Sequence, residues 1–269
     1  MKGWVSATAM VILAVGVGSA GATIIGPDTY GYRATDQVPY AFVDITTTGT
    51  RTLAGQDDAI ASAPIGFSFN FYGRNFTQAS FTPNGMMTFG GATNQWANVD
   101  LATGQIRNNI AALCVMHDDW QFFQAGADGA YYETVGPAGS QQFILQWNIN
   151  YAHYMSPSSV TFQAVLFEGS NNILLQYADV DSGFDLRYST IDHRYGASAT
   201  VGLKDDPARG PGRYLQWSYN SPVLSDGEAI LFTTEPLPQP HPIPEPGSLL
   251  VWAVLAGLGC AVGWYRRRK

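Results

Sequence analysis

Ile65-Gly66-Phe67-Ser68-Phe69-Asn70-Phe71-Tyr72-Gly73 puts three phenylalanines on one side of an extended chain and Ser68, Asn70 and Tyr72 on the other. Period two over this length predicts a half-buried β-strand, not a helix. The segment Tyr72-Gly73-Arg74-Asn75 ends it. Further along, Pro83-Asn84-Gly85 predicts a turn, because Asn-Gly readily supplies positive φ, and Met86-Met87-Thr88-Phe89 resumes as a strand into Gly90-Gly91. Residues 142–149, 160–167 and 173–177 read as strands, and Glu168-Gly169-Ser170-Asn171-Asn172 joins the last two as a hairpin. Segments 199–203, 213–217 and 229–232 complete the set. Between the two ends of the chain no window sustains a 3.6-residue apolar period. The expected fold is therefore all-β, an antiparallel β-sandwich with jelly-roll-like and immunoglobulin-like topologies both open, and a closed barrel as the alternative.

The two ends read differently. Met1-Lys2 is followed by an apolar run from Val5 to Val17 and by Ala20-Gly21-Ala22, the pattern of a secretory signal peptide over 1–22 with the mature start near Thr23. At the other end, 249–265 carries no charge and would rise roughly 26 Å as a helix. With Ser248 it predicts a transmembrane helix over 248–265. Arg266-Arg267-Arg268-Lys269 would stay on the cytoplasmic side, leaving the body, 23–233, outside.

Charge and cysteine usage narrow the function. Residues 23–247 hold all 21 acidic side chains but only 9 of the 14 basic ones, a formal charge of 9 − 21 = −12. Nucleic acid and anionic lipid need clustered cations, so neither is an expected partner. Of the 2 cysteines, Cys260 lies in the apolar tail and Cys114 in the string Ile110 to Met116, which excludes a disulfide framework and makes Cys114 a small core residue.

Proline occupies every second position from Pro236 to Pro246. Such a run forms neither helix nor sheet and predicts a polyproline-II stalk over 234–243. The remaining residues, 244–269, carry a resemblance. Pro244-Glu245-Pro246, then an apolar helix, then Arg266, Arg267 and Arg268, resemble the PEP-CTERM sorting signal of Gram-negative bacteria. That resemblance implies a membrane-embedded exosortase as processing partner, an inner-membrane precursor, and final delivery to the cell surface or matrix of a cell that makes exopolysaccharide. Phrases from 66–73, 83–90, 117–120 and 162–177 together resemble a β-rich domain common in exported bacterial proteins and, more distantly, the nidogen-type ectodomain. This second resemblance spans 65–203 and brings no catalytic residues with it.

The sequence holds few residue patterns that carry chemistry. His117, His153, His193 and His241 fit no H-E-x-x-H pattern and have no cysteine pair, so zinc lacks a ligand set. Asp181-Ser182-Gly183 superficially resembles a protease loop but lacks its flanking glycines, and no nucleophile-elbow or phosphate-loop pattern is present. No cofactor is expected. Asp118-Asp119 and the run Asp179, Asp181 and Asp185 are the best carboxylate clusters, whose closely spaced hard oxygens could hold a structural Ca²⁺, at the run above all. Among the aromatics, Tyr151, Tyr154 and Trp120 are the candidates for stacking on a sugar ring. The expected function is that of a non-catalytic exported surface or matrix protein associated with exopolysaccharide or biofilm. The alternatives are a carbohydrate-binding module and a secreted hydrolase.

Overall fold

A computed structural model of the chain describes residues 23–123, 126–149, 159–183 and 192–237. Its strands are, in order, β1 (Ile24–Ile25), β2 (Arg33–Thr35), β3 (Thr50–Thr52), β4 (Ala61–Phe71), β5 (Arg74–Phe81), β6 (Met86–Phe89) and β7 (Ala111–His117). They continue as β8 (Gly129–Val135), β9 (Gln142–Ile149), β10 (Val160–Phe167), β11 (Ile173–Asp179), β12 (Thr200–Lys204), β13 (Tyr214–Tyr219) and β14 (Glu228–Thr233). No α-helix occurs among the described residues, and none of their helical turns is long and apolar enough to cross a membrane. The expected signal peptide, the Pro244-Glu245-Pro246 motif, the 248–265 helix, Arg266 to Arg268, Tyr151, Tyr154 and Asp185 lie outside the described residues.

All pairings are antiparallel, and they build two sheets. One has eight strands in the order β1-β2-β14-β11-β10-β9-β8-β3; the other has six, β13-β12-β7-β6-β5-β4. Each contains a meander, β8 to β11 in the first and β4 to β7 in the second. The chain changes sheets after β3, β7, β11 and β13, which stitches the layers together. Alternation in β4 persists along the strand: Ala63, Ile65, Phe67, Phe69 and Phe71 are buried, while Ser62, Pro64, Gly66 and Ser68 are exposed. Pro64 is tolerated because β4 is an edge strand, where a missing amide donor breaks no central ladder. Beyond Phe71 the alternation fails. Tyr72 is buried, not on the polar face, because the chain reverses there with φ 50° and folds the ring onto Tyr32 and Phe71. Its hydroxyl donates to Asp28 Oδ2 at 2.7 Å.

The core lies between the sheets and is rich in aromatic rings. Phe71 and Phe89 meet at 4.5 Å, and Trp147 stacks on Phe162 at 5.2 Å. Polar side-chain atoms inside this layer are tied across it. Trp147 Nε1 donates to Thr82 O at 2.7 Å, Tyr177 OH to Val115 O at 2.7 Å, and Thr134 Oγ1 to Ile65 O at 2.8 Å. The Val115 and Met116 carbonyls sit opposite the register break between Thr200 and Gly202, where the ladder leaves them without a strand partner. Tyr177 and the Trp120 indole (2.8 Å to Met116 O) supply the missing donors.

Part of each sheet is also covered on its outer face. Every residue of β7 is buried, because Leu101 and Ile106 from the preceding loop pack on Ala112 and Cys114. Burial pushes the Cys114 thiol up to about 12, so it packs and does not react. On the eight-stranded sheet, Gln146, Gln163 and Gln176 line up across β9, β10 and β11. Ala41 N donates to Gln176 Oε1 (2.7 Å), Gln163 Nε2 to Val43 O (3.0 Å) and Ile45 N to Gln146 Oε1 (3.0 Å). These buried amides strap the 41–45 segment to the sheet with their hydrogen bonds satisfied.

Candidate functional site

The six-stranded sheet brings one set of strand ends together: the start of β4, the β5–β6 turn, the end of β7, the start of β12 and the end of β13. Loops from this end enclose a cleft of about 600 Å³ lined by Asp57, Asp58, Asp118, Asp119, Trp96, Ala97, Asn98, His193, Ser198 and Asn220.

Its acidic wall comes from two loops. Phe122 N donates to Gln56 O at 3.1 Å, clasping the segment after β7 to the segment before β4. This contact sets Asp57, Asp58 and Asp119 so that one carboxylate oxygen of each lies within 4.8 Å of the others. Asp58 holds φ 50°, a left-handed conformation that Asp tolerates better than most residues. From the β5–β6 turn, Asn84 Nδ2 donates to Asp58 Oδ1 at 2.8 Å. The other end of that amide, Asn84 Oδ1, is buried without a hydrogen-bond partner.

An aromatic rim faces this wall. Trp96 is 48 % exposed although it is among the largest apolar side chains in the body. Its loop is rigidly held: Gln95 Oε1 accepts from Arg107 N (2.7 Å), Gln95 Nε2 donates to Ala97 O (2.7 Å), and Thr200 Oγ1 donates to Val99 O (2.7 Å). His117 Nε2 meets Gln95 O at 3.1 Å, and burial lowers the His117 pKa, keeping that ring neutral. Beside Trp96, Asn98 Nδ2 donates to Asn220 Oδ1 at 2.7 Å.

At the base, His193 Nδ1 lies 2.9 Å from Asp118 Oδ2 and 2.6 Å from Ser198 Oγ, and Ser198 Oγ also donates to Asp118 Oδ2. A nucleophilic triad places serine and carboxylate on opposite imidazole nitrogens, so that one takes a proton while the other orients the ring. Here both converge on Nδ1. The arrangement is a compact polar lock joining the β11–β12 loop to the end of β7.

A model described as NIDO related matches residues 30–239 of the chain. The chain belongs to the NIDO-related family. No curated protein and no solved structure matches it. The family match runs wider than 65–203, reaching from β2 to β14, so every strand of the two sheets except β1 lies in the NIDO-related domain. This is an extracellular type of domain, in accord with export.

The NIDO-related domain redistributes the residues singled out from sequence. Trp120 is fully buried, its indole spent on the Met116 carbonyl and its ring against His193 at 5.8 Å, so it offers no face to a sugar. Asp179 Oδ1 accepts from Asp181 N and Asp181 Oδ1 from Gly183 N, both at 3.2 Å, the contacts of a turn, while Asp179 Oδ2 accepts from the more distant Ser159 Oγ at 2.6 Å. Asp118-Asp119 does reach the cleft, but with a division of labour: Asp118 faces His193 and Ser198, whereas Asp119 faces Asp57 and Asp58. The pair Asp57-Asp58 was missed. Its only sequence signal is a second adjacent aspartate pair, and Asp205-Asp206 shares that pattern while serving an ion pair with Arg213 (2.6 Å).

Proposed function

We propose that this NIDO-related protein is a non-catalytic surface or matrix protein whose cleft holds a segment of extracellular polysaccharide. The observation that carries the reading is Trp96, a rigidly mounted and half-exposed indole beside paired amides and carboxylates at the mouth of the cleft. A flat apolar face suits the C–H side of a pyranose, and amides and carboxylates at its edge suit the hydroxyls. Convergence of Ser198 and Asp118 on one imidazole nitrogen weighs against a hydrolase. The expected result is that Trp96→Ala weakens retention on the cell's purified exopolysaccharide about tenfold, the equivalent of ~1.4 kcal/mol. Thermal unfolding should be unchanged, since the ring is not core. Undiminished retention would remove the sugar reading.

Delivery in this reading depends on the tail. Pro244-Glu245-Pro246, the apolar segment and Arg266 to Arg268 would be recognised as a PEP-CTERM signal by an exosortase, after which the body leaves its anchor. Glu245→Ala, or deletion of 266–269, should therefore leave an unprocessed precursor in the inner membrane. Fractionation followed by mass measurement reads this directly. Mature protein of unchanged mass outside the cell would refute the assignment.

A further inference from the structure

We propose that the bound polysaccharide continues from Trp96 over the Asn98–Asn220 amide pair onto Tyr219, so that a run of consecutive sugar rings lies between two aromatic platforms. This extension rests on the sugar reading of the cleft and carries it onto the outer face of the six-stranded sheet. Its starting point is Tyr219, a residue of β13 whose side chain is nevertheless 37 % exposed.

Strand register places that ring. Residues directly opposite in an antiparallel pair share one face of the sheet. His117 on β7 opposes Thr200 on β12, and Thr200 opposes Tyr219 on β13, so the three form one row across the sheet. In the adjacent row Val201 opposes Ser218, and Val201 belongs to the core between the sheets, so the row of Tyr219 faces outward. The segment 95–99 runs along this row. His117 Nε2 meets Gln95 O at 3.1 Å, and Thr200 Oγ1 donates to Val99 O at 2.7 Å. His117 and Thr200 are fully covered as a result, whereas Tyr219, on the edge strand, is not. Trp96 rises from the same segment. Strands β7 and β13 are two places apart in the sheet, on the order of 10 Å at about 4.8 Å per strand, which leaves room for more than one sugar ring.

The side chains that link the two rings are polar and uncharged. Asn98 Nδ2 donates to Asn220 Oδ1 at 2.7 Å, which leaves Asn98 Oδ1 as an acceptor and Asn220 Nδ2 as a donor at the margin of the cleft. Neighbouring sugar hydroxyls, each both donor and acceptor, match such a pair. The amide of Asn220 is held from below. Its backbone has φ 47°, a left-handed conformation that Asn adopts more readily than most residues, and its N donates to Ala199 O at 2.9 Å. Two half-exposed rings with paired amides between them suit the alternating C–H faces and hydroxyl edges of a glycan chain.

The test uses the purified full chain and the cell's exopolysaccharide, whole and as length-sorted fragments from partial acid hydrolysis, with affinities from calorimetric titration. Affinity should rise with fragment length and then level off. Tyr219→Ala should weaken binding of the whole polymer about tenfold and abolish the gain with length, while the shortest bound fragments and the melting temperature stay unchanged. Tyr219→Phe keeps the ring and should bind as the natural chain does. Asn220→Gly keeps the left-handed backbone but removes the amide, and should weaken binding about fivefold. Trp96→Ala separates the extension from the reading beneath it. Undiminished binding by Trp96→Ala removes the sugar reading and the extension together. Weakened binding by Trp96→Ala alongside undiminished binding by Tyr219→Ala overturns the extension alone. A loss in Tyr219→Ala that sedimentation traces to dissociation of a dimer also overturns it, because Tyr219 then meets a second copy of the chain.

Discussion

Gly85→Ala is expected to destabilise the domain by about 3–5 kcal/mol, lowering its melting temperature by roughly 6–20 °C. Two causes add. Gly85 sits at φ 68°, where a side chain costs on the order of 1–2 kcal/mol. The larger part is steric. A β-carbon there would overlap the Met116 carbonyl oxygen and come 2.8 Å from its carbon, both backbone atoms with no rotamer to swing aside. The turn cannot retreat, since Gly85 O accepts from Val115 N at 2.9 Å and Gly85 N donates to Pro83 O at 2.8 Å. Gly139→Ala separates the two causes. Gly139 has φ 92° and nothing within 4 Å of its added β-carbon, so the conformational cost stands alone. Calorimetric melting of both variants should place Gly139→Ala much nearer the natural chain. Equal losses would show that contact with β7 contributes nothing.

Removing the Trp147 side chain should cost a similar amount. Trp147→Ala is expected to lose about 3–5 kcal/mol, because it empties the largest kind of core volume in a layer that cannot collapse fully. It also strips the Thr82 carbonyl of its donor at 2.7 Å. Trp147→Phe keeps a ring against Phe162 but not the indole N–H, so its cost should be about 1–3 kcal/mol, that of an orphaned buried carbonyl. Urea unfolding should therefore rank the natural chain above Trp147→Phe, and Trp147→Phe above Trp147→Ala. A Phe variant as stable as the natural chain would remove the inter-sheet hydrogen bond from the account.

Eight of the strands were legible from local sequence, and the reason is visible in β4. One face meets the core and the other meets solvent, so its phenylalanines and serines alternate. Strand β7 was not legible as a strand because both faces are buried, which erases the alternation from Ala111 to His117. Strands β1, β2 and β3 are two or three residues long, too short to show any period. Strand β5 follows β4 through a two-residue reversal and has mostly polar residues between Phe76 and Phe81, so its sequence shows no apolar alternation. The cleft was legible only in fragments. Asp118-Asp119 and Asn84-Gly85 each stood out for their own reasons, while Trp96 was one tryptophan among several.

By itself, then, the sequence determined a two-faced β-protein with Asn-Gly punctuation, a lone unreactive Cys114, an acidic body and two distinctive ends. These depend on composition and on neighbours a few residues apart. The tertiary structure decided which tryptophan is buried and which is presented, and that Asp57-Asp58 belongs with Asp119 across about sixty residues of chain. That pairing follows from which strands lie side by side in the six-stranded sheet. Antiparallel order aligns alternate strand ends, so residues remote in sequence share one rim, and no local pattern records which ends those are.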